Sequence, residues 1–402
     1  MKFKEKENMN PISSIYNWRR ITPDDGHYFF GYYDRNPWNA DQSLHLVLKI
    51  DQCERLPLPG EKAEIGAVTP NGKWTKFTET RAWCHQQGCM ELFHPQKPDC
   101  ILYNDYDVNT RRLEARIFQI GKGEIGRYSR SIYTLAPNGQ FGVSLDIGRI
   151  PRRGYSYADV QVGNDLHPAD LDHDGLFLID LKTGKEKLLV SYRTMLEQHS
   201  YRYCTEGRYI WLNHVIFNCD STRVLWLLRQ ADDQHQVHKW QTFMYTCGIN
   251  GKDPVCVLPD VYWSHWMISH QIWGRTPHEI LVDANWDGTG YHAVVFDESE
   301  HPFRAVKLAD SHGRPAHMIF SPDGTKLLAD SYSGTEGIQT LAMIEVKTGK
   351  MEILGRFNHR PEKVADDDTR CDLHPRWSPD GHYITVDSIH DNKYRGCYLL
   401  KI

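Results

Sequence analysis

The sequence predicts an all-β fold, a seven-bladed β-propeller, on three observations. The first is a recurring phrase: an apolar stretch, a Pro/Asp/Gly-type turn and a second apolar stretch. It reads FSPDGTKLLADS from Phe320, WSPDGHYITVDS from Trp377 and LAPNGQFGVSLD from Leu135. The second is a set of looser copies. These are RNPWNADQSLHLVLKID from Arg35, FHPQKPDCILYND from Phe93, FNCDSTRVLWLL from Phe217 and WGRTPHEILVDA from Trp273, which bring the count to seven. Asp-Gly or Asn-Gly between strand-like runs reads as a β-hairpin, and hairpins repeated every few tens of residues read as propeller blades. The third is a pair of close internal copies, LFLIDLKTGKEKLLVS and LAMIEVKTGKMEILGRF, each a strand, a Thr-Gly turn and a strand.

The elements follow in order. Each recurring phrase supplies the two inner strands of a blade, and the Thr-Gly hairpins supply outer strands. The last blade begins at Cys371 and ends YRGCYLLKI, which leaves it three clear strands. The N-terminal stretch YNWRRIT is expected to add the fourth and close the ring, since an open ring would leave bare sheet edges. Neither a linker nor a low-complexity segment interrupts the chain, so residues 1–402 are read as one propeller domain.

Composition limits the function. Aromatic residues make up 12% of the chain, with 12 Trp and 21 Tyr, which suits sheets packed face to face. The formal net charge of −5 offers no basic stripe, so no nucleic-acid partner is expected. No apolar run reaches the roughly 18 residues of a membrane span, so no membrane partner is expected. The start, MKFKEKENMNPISS, lacks the apolar core of a signal peptide. The chain is therefore expected in the cytoplasm, or in the periplasm or outside the cell if a leader has been removed. The 10 Cys are scattered without a CxxC pair, unlike a disulfide framework.

In a propeller the innermost strand starts at the entrance face and runs down the channel. Three residues before the opener of each phrase stand Tyr32, Met90, Ile132, His214, His270, His317 and His374. Four successive blades thus put histidine at one structural position, with Cys371 three residues before His374. Imidazole and thiolate together suit Zn²⁺. The expected ligand set is His270, His317, Cys371 and His374, with His214 left for substrate. The alternative is that these histidines hydrogen-bond one another and ordered water. A metal here could tie blades together or polarise a substrate carboxylate.

A second group maps to the entrance face of the first half of the ring. His85 and Gln86 precede the second inner strand, Asn104 ends its return strand, Tyr133 opens the third inner strand, and Arg149 follows the third return strand. Imidazole, amides, phenol and guanidinium suit β-elimination on a uronic acid. The proton α to a carboxylate must be removed and the leaving oxygen protonated, while hydrogen-bond donors take up the developing charge. His85 is the candidate base and Tyr133 the candidate acid. Arg149, Gln86 and Asn104 face the carboxylate, and Tyr155 and Tyr157 are alternative phenols or substrate contacts. Taken singly, Tyr133 could equally pack between sheets and Arg149 pair at the surface.

The segments FFGYYDRNPWNADQSLHLVLKID, TRAWCHQQGCMELF, SHQIW, FSPDGTKLLADSYSGTEGIQTL and RCDLHPRWSPDGHYITVDS resemble the seven-bladed propeller polysaccharide lyases, ulvan lyases foremost and oligogalacturonate lyase more distantly. The resemblance implies β-elimination by His and Tyr, an Arg on the uronate carboxylate and a bound metal. That metal is a structural zinc in ulvan lyases, or a charge-neutralising divalent cation such as manganese in oligogalacturonate lyase; calcium is a further alternative. By position His85, Tyr133 and Arg149 take the catalytic roles and His270, His317, Cys371 and His374 the metal role. A second catalytic histidine has no counterpart here, because Asn104 or Asp105 stands in its place.

Three functions remain open. The first is a lyase on an acidic polysaccharide or oligosaccharide. The second is a rhamnosyl-glucuronate lyase or a glycoside hydrolase on the same scaffold. A hydrolase needs two carboxylates about 5–10 Å apart, and the strand-end acids Asp146, Asp283, Asp330 and Asp387 are candidates unless they only begin turns. The third is a propeller that binds a protein or glycan without catalysis.

Overall fold

The computed structural model describes residues 12–161, 169–198, 208–232, 239–300, 302–360, 362, 368–391 and 394–402. Its strands form seven antiparallel sheets, numbered here as blades in chain order. The recurring phrase builds the inner hairpin of each. In blades 3, 6 and 7 the turn glycines Gly139, Gly324 and Gly381 adopt φ of 67°, 68° and 74°. Each donates its N–H to the residue after the opener, Ala136, Ser321 and Ser378, at 2.8–2.9 Å. The left-handed conformation is what the turn demands and what glycine allows at little cost. In the looser copies Gln42 and Ser221 take the same place at φ 59° and 65°. Their N–H groups bond Asn39 and Asn218 in the same way, both at 3.1 Å.

The opener pairs with the residue seven places on: Leu135 with Gly142, Phe217 with Val224, Trp273 with Ile280, Phe320 with Leu327 and Trp377 with Ile384. In blade 1 that pairing joins Trp38 to His45. The opener there is Trp38 rather than Arg35, so Arg35, not Tyr32, stands in register with the histidines. Opener tryptophans also link blades, since Trp273 Nε1 donates to Ile216 O at 3.0 Å and Trp377 Nε1 to Ile319 O at 3.3 Å.

Residues Arg19–Arg20 pair antiparallel with Leu399 and Tyr398 of Gly396–Lys401, so the N-terminal strand forms the outer edge of blade 7. Ile12–Ser13 joins blade 6 through Phe357 and Arg356, giving that sheet five strands. No helix among the described residues is long and apolar enough to cross a membrane.

Acids at the ends of return strands clip neighbouring blades. Asp283 of blade 5 accepts the Ala316 N–H of blade 6 at 2.8 Å. Asp330 of blade 6 accepts the N–H groups of His317 and, from blade 7, His374, at 2.7 and 3.1 Å. Asp387 of blade 7 accepts from Phe30 and Gly31 of blade 1 at 3.3 Å and from Arg376 at 2.7 Å. In blade 2 Asn104 does the same work, accepting from Ile132 N at 2.8 Å and donating to Ile132 O at 3.0 Å. Apart from the Arg376 contact, each bond satisfies a backbone group beside the short inner strands.

Candidate functional site

The inner-strand histidines converge. Ring centroids lie 4.0 Å apart for His270 and His317 and 4.3 Å for His317 and His374. Tyr32 closes the group from blade 1, its ring 4.9 Å from His374, 5.1 Å from His214 and 5.7 Å from His317. It arrives there by its loop rather than by register. Met90, His214 and His374, at one register position in three blades, hold φ of 62°, 51° and 44°. A left-handed backbone at non-glycine residues persists only where surrounding structure imposes it, and such residues cluster at sites.

The hydrogen bonds fix how the imidazoles point. His317 Nδ1 lies 3.0 Å from Asp330 Oδ2, so this nitrogen carries the proton and Nε2 keeps its lone pair. Neither His317 Nε2 nor His374 Nε2 has a hydrogen-bond partner, although both are buried. Burial holds both imidazoles well below their ordinary pKa, hence neutral. His317, His374 and Asp372 each offer a ligand atom, all within 4.8 Å of one another. Orphaned, neutral nitrogens beside a carboxylate fit a divalent cation.

Cys371 is not part of this group. Its side chain packs with Cys53 and Ile389, and burial pushes its thiol up to about 12. Asp372 shares a side with His374, two residues on, and Cys371 faces away. His270 stands beside the group but is otherwise engaged. Its Nδ1 lies 2.7 Å from Ala316 O and its Nε2 3.2 Å from the Tyr332 hydroxyl.

Next to the histidines opens a cavity of about 400 Å³, lined by Tyr32, Tyr155, His214, His270, Trp240, Tyr332 and three arginines, Arg153, Arg229 and Arg370. Arg370 is paired with Asp372 at 2.7 Å and donates to Tyr332 Oη at 3.3 Å. Arg153 is paired with Asp368 at 3.3 Å. Arg229 differs. Its Nε is enclosed without a partner, and its electrostatic neighbours are Tyr155, Arg153, Tyr32 and Tyr133 rather than an acid. Burial lowers its pKa to about 10. The Trp240 ring, 4.9 Å from the Arg229 guanidinium and 4.6 Å from that of Arg153, supplies π-face attraction to both.

The residues expected on the first half of the ring do not line this cavity, apart from Tyr155. His85 is buried, with Nε2 2.8 Å from Arg55 O, and burial, then Arg395, push its pKa down to about 3. Gln86 donates to Arg370 O at 3.1 Å and so helps seat that arginine. Tyr133 donates to Gln87 Oε1 at 3.0 Å and accepts from His214 N at 2.9 Å, and burial raises its pKa. Arg149 donates to Ile210 O at 3.0–3.1 Å, beneath the Tyr209 ring. Tyr157 sits in the core beside Cys84. Asn104 is taken up by its clip. Asp146 lines a separate cavity of about 900 Å³ together with Asp174.

Missing from the sequence reading were Asp372, Tyr332, Arg153, Arg229 and Arg370. Arg370 and Asp372 flank Cys371 in RCDLH, and Arg229 interrupts the apolar run VLWLLRQ, a signal that was available.

No family model matches the chain, and no curated protein matches it. Solved structures do. An oligogalacturonate lyase in complex with manganese superposes with a TM-score of 0.64 at 15% identity, covering 97% of this chain and 94% of that one. The oligogalacturonate lyase of Vibrio parahaemolyticus gives 0.62 at 12% identity, covering 97% and 98%. At this identity the likeness shows the fold, a seven-bladed β-propeller.

Proposed function

We propose that this protein is a lyase that cleaves a uronate-containing oligosaccharide or polysaccharide by β-elimination. The observation that carries the reading is Arg229: a guanidinium open to a polar cavity, lacking an acidic partner among the described residues, within a ring of histidines. A buried charge without a counter-ion costs several kcal/mol, and a substrate carboxylate would relieve that cost. Arg153 and Arg370 add positive potential to the same walls. The fold shared with two oligogalacturonate lyases supports an acidic glycan as substrate.

His270 is the proposed base. With Nδ1 protonated toward Ala316 O, its Nε2 accepts the Tyr332 hydroxyl at 3.2 Å and, once that hydroxyl turns to the substrate, can take the proton α to the carboxylate. The electron pair left behind forms the carbon–carbon double bond as the bond from the β-carbon to the glycosidic oxygen breaks. Tyr332, hydrogen-bonded to His270 and Arg370, is placed to protonate the leaving oxygen. His317, His374 and Asp372 would hold a divalent cation, which when bound withdraws electron density from the carboxylate. With the Cys371 thiol turned away the donors are two nitrogens and an oxygen, a set that accommodates manganese as well as zinc. His85 and Arg149 serve the scaffold in this reading.

The test is a panel of uronate polymers and their oligomers followed in the ultraviolet, where the unsaturated product absorbs. Wild-type protein with added manganese or zinc is expected to produce the chromophore, and a chelator to reduce its rate. Reducing ends released without the chromophore would indicate a hydrolase. Binding without either product would indicate a glycan-binding propeller.

A further inference from the structure

The geometry points to Asp283 and His312 as positioning residues that hold His270 in its proton-accepting tautomer, an inference that rests on the reading of His270 as the base. His270 Nδ1 meets a carbonyl, Ala316 O, at 2.7 Å. A carbonyl only accepts, so Nδ1 must carry the proton. Ala316 is itself fixed by Asp283, whose Oδ2 accepts the Ala316 N–H at 2.8 Å. The same carboxylate oxygen lies 3.7 Å from His270 Nδ1. One carboxylate therefore both seats the carbonyl that selects the tautomer and stands behind the proton it selects.

Asp283 is fully buried, and it meets a second imidazole. Its Oδ1 lies 3.2 Å from His312 Nε2, an ion-pair contact, and neither atom has another hydrogen-bond partner. His312 Nδ1 lies 2.8 Å from Arg314 O. Both His312 nitrogens thus face acceptors, Arg314 O on one side and the Asp283 carboxylate on the other. Burial acts to raise the Asp283 pKa, and the contacts with His270 and His312 outweigh it and hold it below the usual carboxylate value. Asp330, the matching clip of the next blade, pairs with one imidazole, His317, at 3.0 Å, whereas Asp283 stands between two. His312 is thus more than the clip requires.

The experiment compares His312→Leu, His312→Gln and Asp283→Asn with wild type, in full-length, metal-loaded protein. Side-chain nitrogen NMR, with the His270 signals assigned by their loss in His270→Gln, reads the tautomer directly. Wild type is expected to show Nδ1 protonated and Nε2 bare, and His312→Leu to show a mixture. On the best uronate substrate, kcat is expected to fall about tenfold or more in His312→Leu and in Asp283→Asn with KM within about twofold, and His312→Gln, which keeps a donor, to recover most of the loss. The inference is overturned by an unchanged His270 tautomer in His312→Leu, or by Leu and Gln variants that lose kcat equally. Should the Leu variant not fold, Asp283→Asn decides by the same two measurements. If wild type forms no unsaturated product from any uronate, the lyase reading falls, and the NMR comparison still decides the positioning.

Discussion

Arg229 and Glu91 show how single buried charges divide between function and stability. Arg229 lacks a carboxylate partner among the described residues, so its removal takes away a desolvation cost along with a binding group. Arg229→Ala is expected to lower kcat/KM on uronates by about a hundredfold, roughly 3 kcal/mol, while the melting temperature holds or rises. Parallel kinetics and thermal melts check this, and a fall in both would make Arg229 structural. Glu91 is fully buried; its Oε2 accepts from the Cys89 N–H at 2.9 Å and the Cys89 thiol at 3.1 Å, while its Oε1 has no partner. Burial raises its pKa from 4.5 to about 7, against the pull of Arg35. Between those values the folded chain keeps a proton that the unfolded chain has lost, so stability falls as pH rises through this window. Glu91→Gln is expected to flatten that dependence and to raise unfolding free energy at pH values above the window by an amount on the order of a few kcal/mol. Denaturant melts at stepped pH would show it, and equal slopes in both proteins would exclude Glu91 as the source.

At the scale of the element, the inner hairpin was legible because its chemistry is local. A turn that needs a left-handed residue wrote Gly into three copies, and where Gln42 and Ser221 replaced it the hairpin persisted at φ 59° and 65°. Replacing both by Gly is expected to raise stability by about 0.5–1 kcal/mol each, because the folded backbone already occupies a region that costs side chains more than glycine. A chemical-denaturation midpoint that does not rise would show that their side chains repay the strain. Register was legible wherever the opener was aromatic or strongly apolar, and slipped at Arg35 because that copy holds two candidate openers. The site was half legible. The histidines share one position and could be counted, but the irregular approach to the seventh inner strand turns Asp372 toward them and Cys371 toward Cys53 and Ile389, and a count of three residues does not carry that information. Arg149, Asn104 and His85, expected at the entrance face, bond backbone groups of neighbouring elements instead. Asn104 illustrates the difference. Asn104→Leu is expected to lower stability by about 1–3 kcal/mol by orphaning the Ile132 N–H and C=O, and to leave KM on uronates unchanged.

For the whole molecule, the decisive feature is that the cavity draws on both halves of the chain. Arg153 and Tyr155 lie between the second and third strands of blade 3, Arg229 and His214 belong to blade 4, His270 to blade 5, Tyr332 to blade 6, and Arg370 leads into blade 7. The ring brings these groups together, and contacts such as Arg153–Asp368, Arg370–Tyr332 and Tyr332–His270 tie them across blades. The ring in turn closes through Arg19–Arg20 on Gly396–Lys401, Ile21 N to Cys397 O at 2.9 Å, Tyr28 N to Arg395 O at 3.0 Å, and the Asp387 clip to Phe30 and Gly31, among other bonds. Removing residues 1–21 would leave the outer strand of blade 7 as an exposed edge, which invites pairing with another chain. The shortened protein is expected to melt several degrees lower, to self-associate at high concentration, and to lose metal affinity together with uronate turnover, because His374 and Asp372 sit on the blade that the closure restrains. Ultracentrifugation, calorimetry and metal titration read the three effects separately. A truncated chain that keeps wild-type metal affinity while melting lower would mean that blades 5 to 7 hold the site without the closed ring, and that closure serves stability alone.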